Sequence, residues 1–512
     1  MIITSGDELL HSRCGYRGTY LVAPRFNFLN IRDDWIWFYP APCWHNIFSA
    51  LYGRVGKHVP AYDKSKMSPL EEVATILASE CRAETQSYSS VYRHYGSSKR
   101  ARYERAHRHL MQRDHLVTHR DSRISMFVKM EAYRLQSHKP FPDCRAIQFR
   151  SFEYTLKLAS MIKGPEHRLY GLRDVPGLCP GQIFAKNLNQ WEKATALREH
   201  FDRGYENMIC LDATRFDAHC NPGVLKIEHK FWTTANKDPE LKKLLNMQLR
   251  NSGSVVRKTG VVKYVVKGGR MSGDANTAGG NCIIMACLLC SFFRKLERRF
   301  CVIIDGDDSV CFYDGPRITQ EEIDDYFRPL GFVMGVECRP TIFEEIDFCQ
   351  SKPVLVDNVW TMIRNPFKII SKLGYTHKPD NYPSYVKRLL TTATCEAWLA
   401  RGVPILQEYC HRIIESCDKA LTRRQRRRGK YLSSESLSYR MQHLITKVSD
   451  VEAIPVSNQT RESFKLAFGL SATRQREIET RLKDWKFSLN HTAGGGVNDH
   501  WFLEFPYPEW RS

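Results

Sequence analysis

A chain of 512 residues with 42% hydrophobic and 12% aromatic content can build real cores, which excludes a disordered tail; it fits about three or four domain-sized units or interwoven subdomains around one channel. Lys and Arg number 76 against 56 Asp and Glu, a formal charge of +20, so the favoured partner is a polyanion, with nucleic acid ahead of acidic membrane. The 17 cysteines are scattered and odd in number, and the single CxxC, Cys287 and Cys290, lacks the second pair of a zinc site, so they read as free thiols and core packing.

The N-terminus, "MIITSGDELLHSRCGYRG", has no basic-then-apolar signal pattern. Residues 1–130 mix aromatic loops with a basic helical stretch, "SSKRARYERAHRHLMQRDHL". "MICLDATRF" then reads as a strand ending in an acid, Asp212. "GGRMSGDANTAGG" is a small-residue loop that runs into a long helix, "NCIIMACLLCSFFRKLERR", with a basic C-terminal end that suits the helix dipole. Its apolar run, 282–293, is too short to span a bilayer, which predicts a buried helix and no transmembrane anchor, with membrane association left to a partner.

"CVIIDGDDSVCFY" makes a hairpin with Gly306 in the turn, where a positive φ is cheapest. "TQEEIDDYFRPLGF" is an amphipathic helix returning to a strand, "FVMGVE". The last third is helical and basic, with a run "TRRQRRRGK" that could grip RNA, act as a localisation signal or form a solvated face, RNA contact being slightly favoured. It ends in an aromatic tail whose composition does not choose between packing on the helices and reaching a channel. No fixed-period repeat stands out, and strand, helix, hairpin, helix, strand predicts an α+β fold with a sheet layered on helices.

The hairpin poses a question, because Asp305, Asp307 and Asp308 crowd a turn with apolar flanks. Like charges in close quarters raise one another's pKa and destabilise the fold unless cations share the site. Asp212 and Asp217 form a D-x4-D pair that says little alone, but an acid ending one apolar strand beside an acid pair turning a hairpin makes a hard-cation site for Mg²⁺. Paired ions of this kind support in-line phosphoryl transfer. In "MSGDANTAGGN", Ser272, Gly273, Thr277 and Asn281 are small or hydrogen-bonding residues able to approach a sugar-phosphate chain and read a ribose 2′-OH.

In their order and spacing, "DATRFD", "SGDANTAGGN" and "DGDD" resemble motifs A, B and C of viral RNA-dependent RNA polymerases, in wording similar to those of tombusvirus-like positive-strand RNA viruses. "FVKMEAY" through "KPFPDCRAIQFRS" resembles the basic motif F and "DFCQSKPV" motif E, so the likeness covers 127–354 and is loose in the flanks. The resemblance implies a right-hand fold whose antiparallel palm sheet carries the Gly-Asp-Asp hairpin beside an encircled template channel. Fingers would occupy 1–200 with an insertion at 235–265, palm 201–234 and 266–354, and thumb and tail 355–512.

It further implies Asp212, Asp307 and Asp308 as catalytic ligands of two Mg²⁺ ions, with Mn²⁺ as a substitute. Asp217 and Asn281 would select ribose, Ser272, Gly273 and Thr277 would shape the loop, and Lys129, Lys139, Arg145 and Arg150 would line the path of incoming NTPs. The Lys that many relatives place after the motif D helix is absent: Gly335 stands there, with Arg328 and Lys352 nearby in sequence, so the acid for pyrophosphate is unassigned. The expected partners are single-stranded template, product RNA, NTPs and a viral replication cofactor or host factors, at membrane-associated complexes in the host cytoplasm. Rival readings are a reverse transcriptase or other palm-type nucleotidyltransferase, a metal-dependent nuclease, and a non-catalytic RNA-binding scaffold.

Overall fold

The computed structural model describes residues 2–4, 17–22, 37–40, 42–134, 143–373, 382–420, 451–484 and 501–506. At its centre a four-stranded antiparallel sheet combines β1 (Asn207–Ala213), β2 (Phe300–Asp305), β3 (Asp308–Tyr313) and β4 (Met334–Cys338) in the order β2-β3-β1-β4. Val302, Ile303, Ile304, Val310, Cys311 and Phe312 are all buried, so the central hairpin is covered on both faces and reads as unbroken apolar runs rather than alternation. Gly306 opens its two-residue turn at φ +77°, as expected for a residue without Cβ.

Helices α1 (Pro222–Ala235), α2 (Thr277–Lys295) and α3 (Gln320–Phe327) pack around this sheet. α3 starts in a capping box, with the Thr319 side chain accepting from the Glu322 N–H and Glu322 accepting in return from the Thr319 N–H. α2 is buried continuously from Gly279 to Phe293, the mark of a core helix that is apolar all round. It is longer than the apolar run alone suggests, long and apolar enough to cross a membrane, but 83% of its apolar window is buried inside the protein. Cys287 and Cys290 are free and buried within it.

A second sheet is mixed and discontinuous in sequence. Its order is Ile2–Thr4, Gly260–Lys267, Arg250–Arg257, Ile124–Val128 and Ala146–Phe149, with Ile124–Val128 parallel to Arg250–Arg257. Trp44, Phe48, Met126, Val262 and Tyr264 form a core against it. A separate core, from Val354 to Leu482, unites the hairpin Ser351–Val356/Val359–Arg364 with helices Leu406–Ala420, Asn458–Phe468 and Ala472–Asp484. Within the aromatic tail, Trp501–Pro506 pairs with Arg17–Val22 at the edge of a third sheet. The basic run at 422–430 lies outside the described residues.

Candidate active site

The strand register brings the acids together. Leu211 of β1 faces Ser309 of β3, so one step further Asp212 faces Asp308, while β2 sets Asp305 opposite Asp308. Directly opposed residues of antiparallel strands share a face with Cβ atoms about 4.5–5.5 Å apart. With Asp307 in the turn, Asp212, Asp307 and Asp308 line one cavity of about 1120 Å³. Beyond Asp212 the chain turns at Arg215, in the left-handed region at φ +50°, into a short helix that brings Asp217 into the same cavity.

Burial, then the charge of Asp307, raises the Asp212 carboxyl above the ordinary range. Burial with repulsion from Asp307, Asp212 and Asp305 pushes Asp308 up to about 6. Asp217 reaches about 6, mainly through burial. Glu337 of β4, which the sequence reading did not single out, reaches about 7 through burial and the neighbouring Asp212 and Asp308. Asp305 behaves oppositely: although burial opposes ionisation, Lys193 and Lys186 hold its carboxyl below the usual range, with Lys186 Nζ 2.9 Å from Oδ1 and Lys193 bound to Oδ2.

Among the described residues no three His, Cys, Asp or Glu side chains already form a cage for an ion. The donors facing the cavity are carboxylate oxygens, mutually repelling and open to a large space. That donor set fits Mg²⁺, which retains water and completes its shell with substrate phosphates instead of demanding an all-protein cage.

The loop before α2 is fastened to the second sheet. The Ser272 hydroxyl donates to the Ala146 carbonyl (3.0 Å), and the Gly273 N–H donates to the Gln148 carbonyl (2.7 Å). A Cβ at position 273 would stand 2.5 Å from that carbonyl oxygen, so glycine permits the approach; Gly273 shapes the loop without lining the cavity. Thr277 Oγ1 donates to the Met271 carbonyl (2.9 Å), and Ser272, Thr277 and Asn281 all reach the cavity wall.

The basic positions divide. Lys129 and Arg145 line the cavity and share Glu131 as an ionic partner, at 2.9 and 3.5 Å. Arg150 does not line it, contrary to the sequence expectation. Its buried guanidinium binds Asp274 twice (2.8 and 3.1 Å), Asn251 Oδ1 (2.6 Å) and the Ser122 carbonyl (2.6 Å), which makes it a tie between loop and sheet. Lys139 lies outside the described residues.

Arg54, Arg215, Arg270, Lys352 and Lys368 also line the cavity. No local pattern marks the first of these, since Arg54 precedes Asp212 by more than 150 residues. Arg270, by contrast, stands inside the small-residue loop 268–280 as its single basic residue. Gly335 is paired with Asp212 across the sheet, whereas Arg328 points to Asp324 (3.0 Å) on the surface.

Residues 53–490 match a family described as viral RNA dependent RNA polymerase. The chain belongs to this family. The match extends well beyond the segment 127–354 that the motifs alone suggested. The chain is 31% identical over 369 residues to the RNA-directed RNA polymerase of Melon necrotic spot virus, covering 71% of this chain and 45% of that protein. It is 30% identical over 383 residues to that of Tobacco necrosis virus (strain A), covering 73% and 51%, and 30% identical over 405 residues to that of Turnip crinkle virus, covering 77% and 50%. The likeness to polymerases of tombusvirus-like viruses seen in the motifs is therefore borne out, and the chain spans about half the length of these curated relatives.

Proposed function

We propose that this chain is the RNA-dependent RNA polymerase of a positive-strand RNA virus, adding ribonucleotides from NTPs to the 3′ end of RNA under template direction. The observation that carries the reading is the meeting of Asp212, from β1, with Asp307 and Asp308, from the β2–β3 turn, in one cavity. Asp217 and Asn281 stand on the wall of the same cavity as candidates to read the ribose.

Asp212, Asp307 and Asp308 would hold two Mg²⁺ ions, or Mn²⁺ in their place, which when bound supply activation of the primer 3′-OH and neutralise the triphosphate. The bond formed joins that 3′-oxygen to the α-phosphorus, and the bond broken releases pyrophosphate. Lys129 and Arg145 on the cavity wall would offset triphosphate charge as the nucleotide approaches, Arg145 with a bidentate fork. Ser272, Gly273 and Thr277 fix the wall against which the sugar lies. Catalysis on this account is positioning and charge neutralisation, with no covalent step by the protein.

The architecture we infer is a right hand, with fingers at 1–200 and 235–265, palm at 201–234 and 266–354 and thumb at 355–512. Three support points are the antiparallel β2-β3-β1-β4 sheet, the sheet that draws 250–267 back to 124–149, and the separate core from Val354 onward. Template and product RNA would run between these parts, held mainly through phosphates. Work in the host cytoplasm, at membrane-associated complexes reached through a viral cofactor or host proteins, completes the proposal.

The deciding experiment is extension on a short RNA template with Mg²⁺, with and without primer, supplying NTPs or dNTPs to the purified chain. Ribonucleotide incorporation is expected. Equal use of dNTPs would favour a reverse transcriptase, and RNA binding without extension a scaffold.

A further inference from the structure

Asn281 can face a substrate with either half of its amide, and the two halves read opposite groups. In this fold the choice is made by Arg270, whose Nε donates to Asn281 Oδ1 at 2.9 Å. A guanidinium can only donate, so the oxygen must face Arg270 and the NH2 is the half left for the cavity that Asn281 lines. Among the described residues no acceptor is placed against that NH2.

Arg270 is in turn immobilised. It is buried and paired with the fully buried Glu228, Nη2 to Oε2 at 2.6 Å. The second Glu228 oxygen accepts from Trp232 Nε1 (2.8 Å) and Asn276 Nδ2 (2.7 Å). The Arg270 backbone N–H donates to the Asp217 carbonyl at 2.8 Å, so one residue anchors both Asp217 and Asn281. A buried ion pair is a poor source of net stability compared with apolar packing, so its presence beside this wall calls for another reason. Gly280, in the helix interior where glycine is unfavourable, clears the space: a Cβ there would stand 2.3 Å from Glu228 Oε1 and 2.6 Å from Arg270 Nη2.

We propose that the Glu228–Arg270 pair is a positioning device that sets sugar specificity by fixing the Asn281 NH2 and Asp217 as a matched donor and acceptor for the ribose 2′-hydroxyl. The inference rests on reading Asp217 and Asn281 as the ribose contacts. A hydroxyl accepts from the amide and donates to the carboxylate; the CH2 of a 2′-deoxyribose does neither and leaves two desolvated groups unpaired.

The test is single-nucleotide incorporation by the full chain with an NTP, its 2′-deoxy analogue and its 3′-deoxy analogue. Arg270→Lys keeps a charge for Glu228 but cannot hold Asn281 in the same planar fork. Gly280→Ala pushes on the ion pair while favouring the helix, so it decides the matter if Arg270→Lys does not fold. Each is expected to lower the ratio of kcat/KM for ribo over 2′-deoxy substrate about tenfold, one buried hydrogen bond's worth. The ratio for ribo over 3′-deoxy substrate, which keeps the 2′-OH, should stay at the wild-type value. A purely structural role would depress all three substrates in proportion, and that result overturns the proposal. Wild-type discrimination in Gly280→Ala, with Asn281→Ala losing it, likewise overturns it; retained discrimination in Asn281→Ala instead removes the ribose reading beneath it.

Discussion

Asp305 and Asp308 face each other across a two-residue turn, and the fold treats them in opposite ways. Asp305 is held by Lys186 and Lys193, and its carboxyl sits below the ordinary range. Asp308, with Asp212 beside it, has no ion-pair partner among the described residues and is pushed up by burial and repulsion, which the charge of Lys193 offsets only in part. The fold therefore has the means to neutralise a buried acid at this point in the sheet, and among the described residues it ion-pairs Asp305 with them and not Asp308. On the proposed function, divalent cations would supply the countercharge that the described residues do not bring into an ion pair with Asp308.

Removing a bare acid tests the comparison most severely. Asp212→Asn and Asp307→Asn are each expected to lower extension by at least about a thousandfold, the order of loss seen when a site loses a main electrostatic contributor. RNA binding, followed by fluorescence anisotropy, should be retained. Removing a countercharge on the other side should act on stability instead. Lys193→Met leaves Asp305 with Lys186 alone and is expected to destabilise the chain by about 2 kcal/mol in urea unfolding, with Asp305→Asn recovering part in the double variant.

Proton linkage sharpens the contrast. Asp308 titrates near 6 in the fold against an ordinary 3.8, so between those values the folded state binds more protons than the unfolded one. Its contribution to stability is greatest at low pH and falls as pH rises through that window, the reverse of Asp305. The Tm of wild type relative to Asp308→Asn should therefore drop from about pH 4 to about pH 6, and added Mg²⁺ should reduce the drop at the upper end. A difference that rises with pH would place a fixed countercharge beside Asp308. The smallest expected effect lies far from the hairpin in sequence: replacing Arg426, Arg427 and Arg428 should lower the slope of log K against log salt for single-stranded RNA by about 2. An unchanged slope would remove that run from the RNA path.

How much of this was legible in sequence follows from the range of each interaction. The β2–β3 hairpin, its Gly306 turn and the strand carrying Asp212 are set by neighbours in the chain and stand where pattern and turn chemistry place them, while the helix after the small-residue loop begins at Thr277, four residues inside the segment read as loop. The clamp on Asp305 joins residues more than 110 positions apart, and nothing near Lys186 or Lys193 announces it. Arg150 shows the same limit from the other side: in sequence it is one more cation in a basic segment, and only its meeting with Asp274 turns it into a buried tie. Glu337 reads as the polar end of a strand until β4 pairs with β1 and sets it near Asp212. The tail strand pairs with a segment near the opposite end of the chain, a register that local composition does not encode.

The central claim is that the acids of the hairpin are completed by divalent ions. Its most direct test is electron paramagnetic resonance of free Mn²⁺ titrated with the full chain, alone and with a non-hydrolysable NTP analogue. The account expects Mn²⁺ to bind wild type, more tightly with the analogue, and to lose that analogue-dependent binding in Asp212→Asn and Asp307→Asn. Equal uptake by wild type and both variants would contradict it.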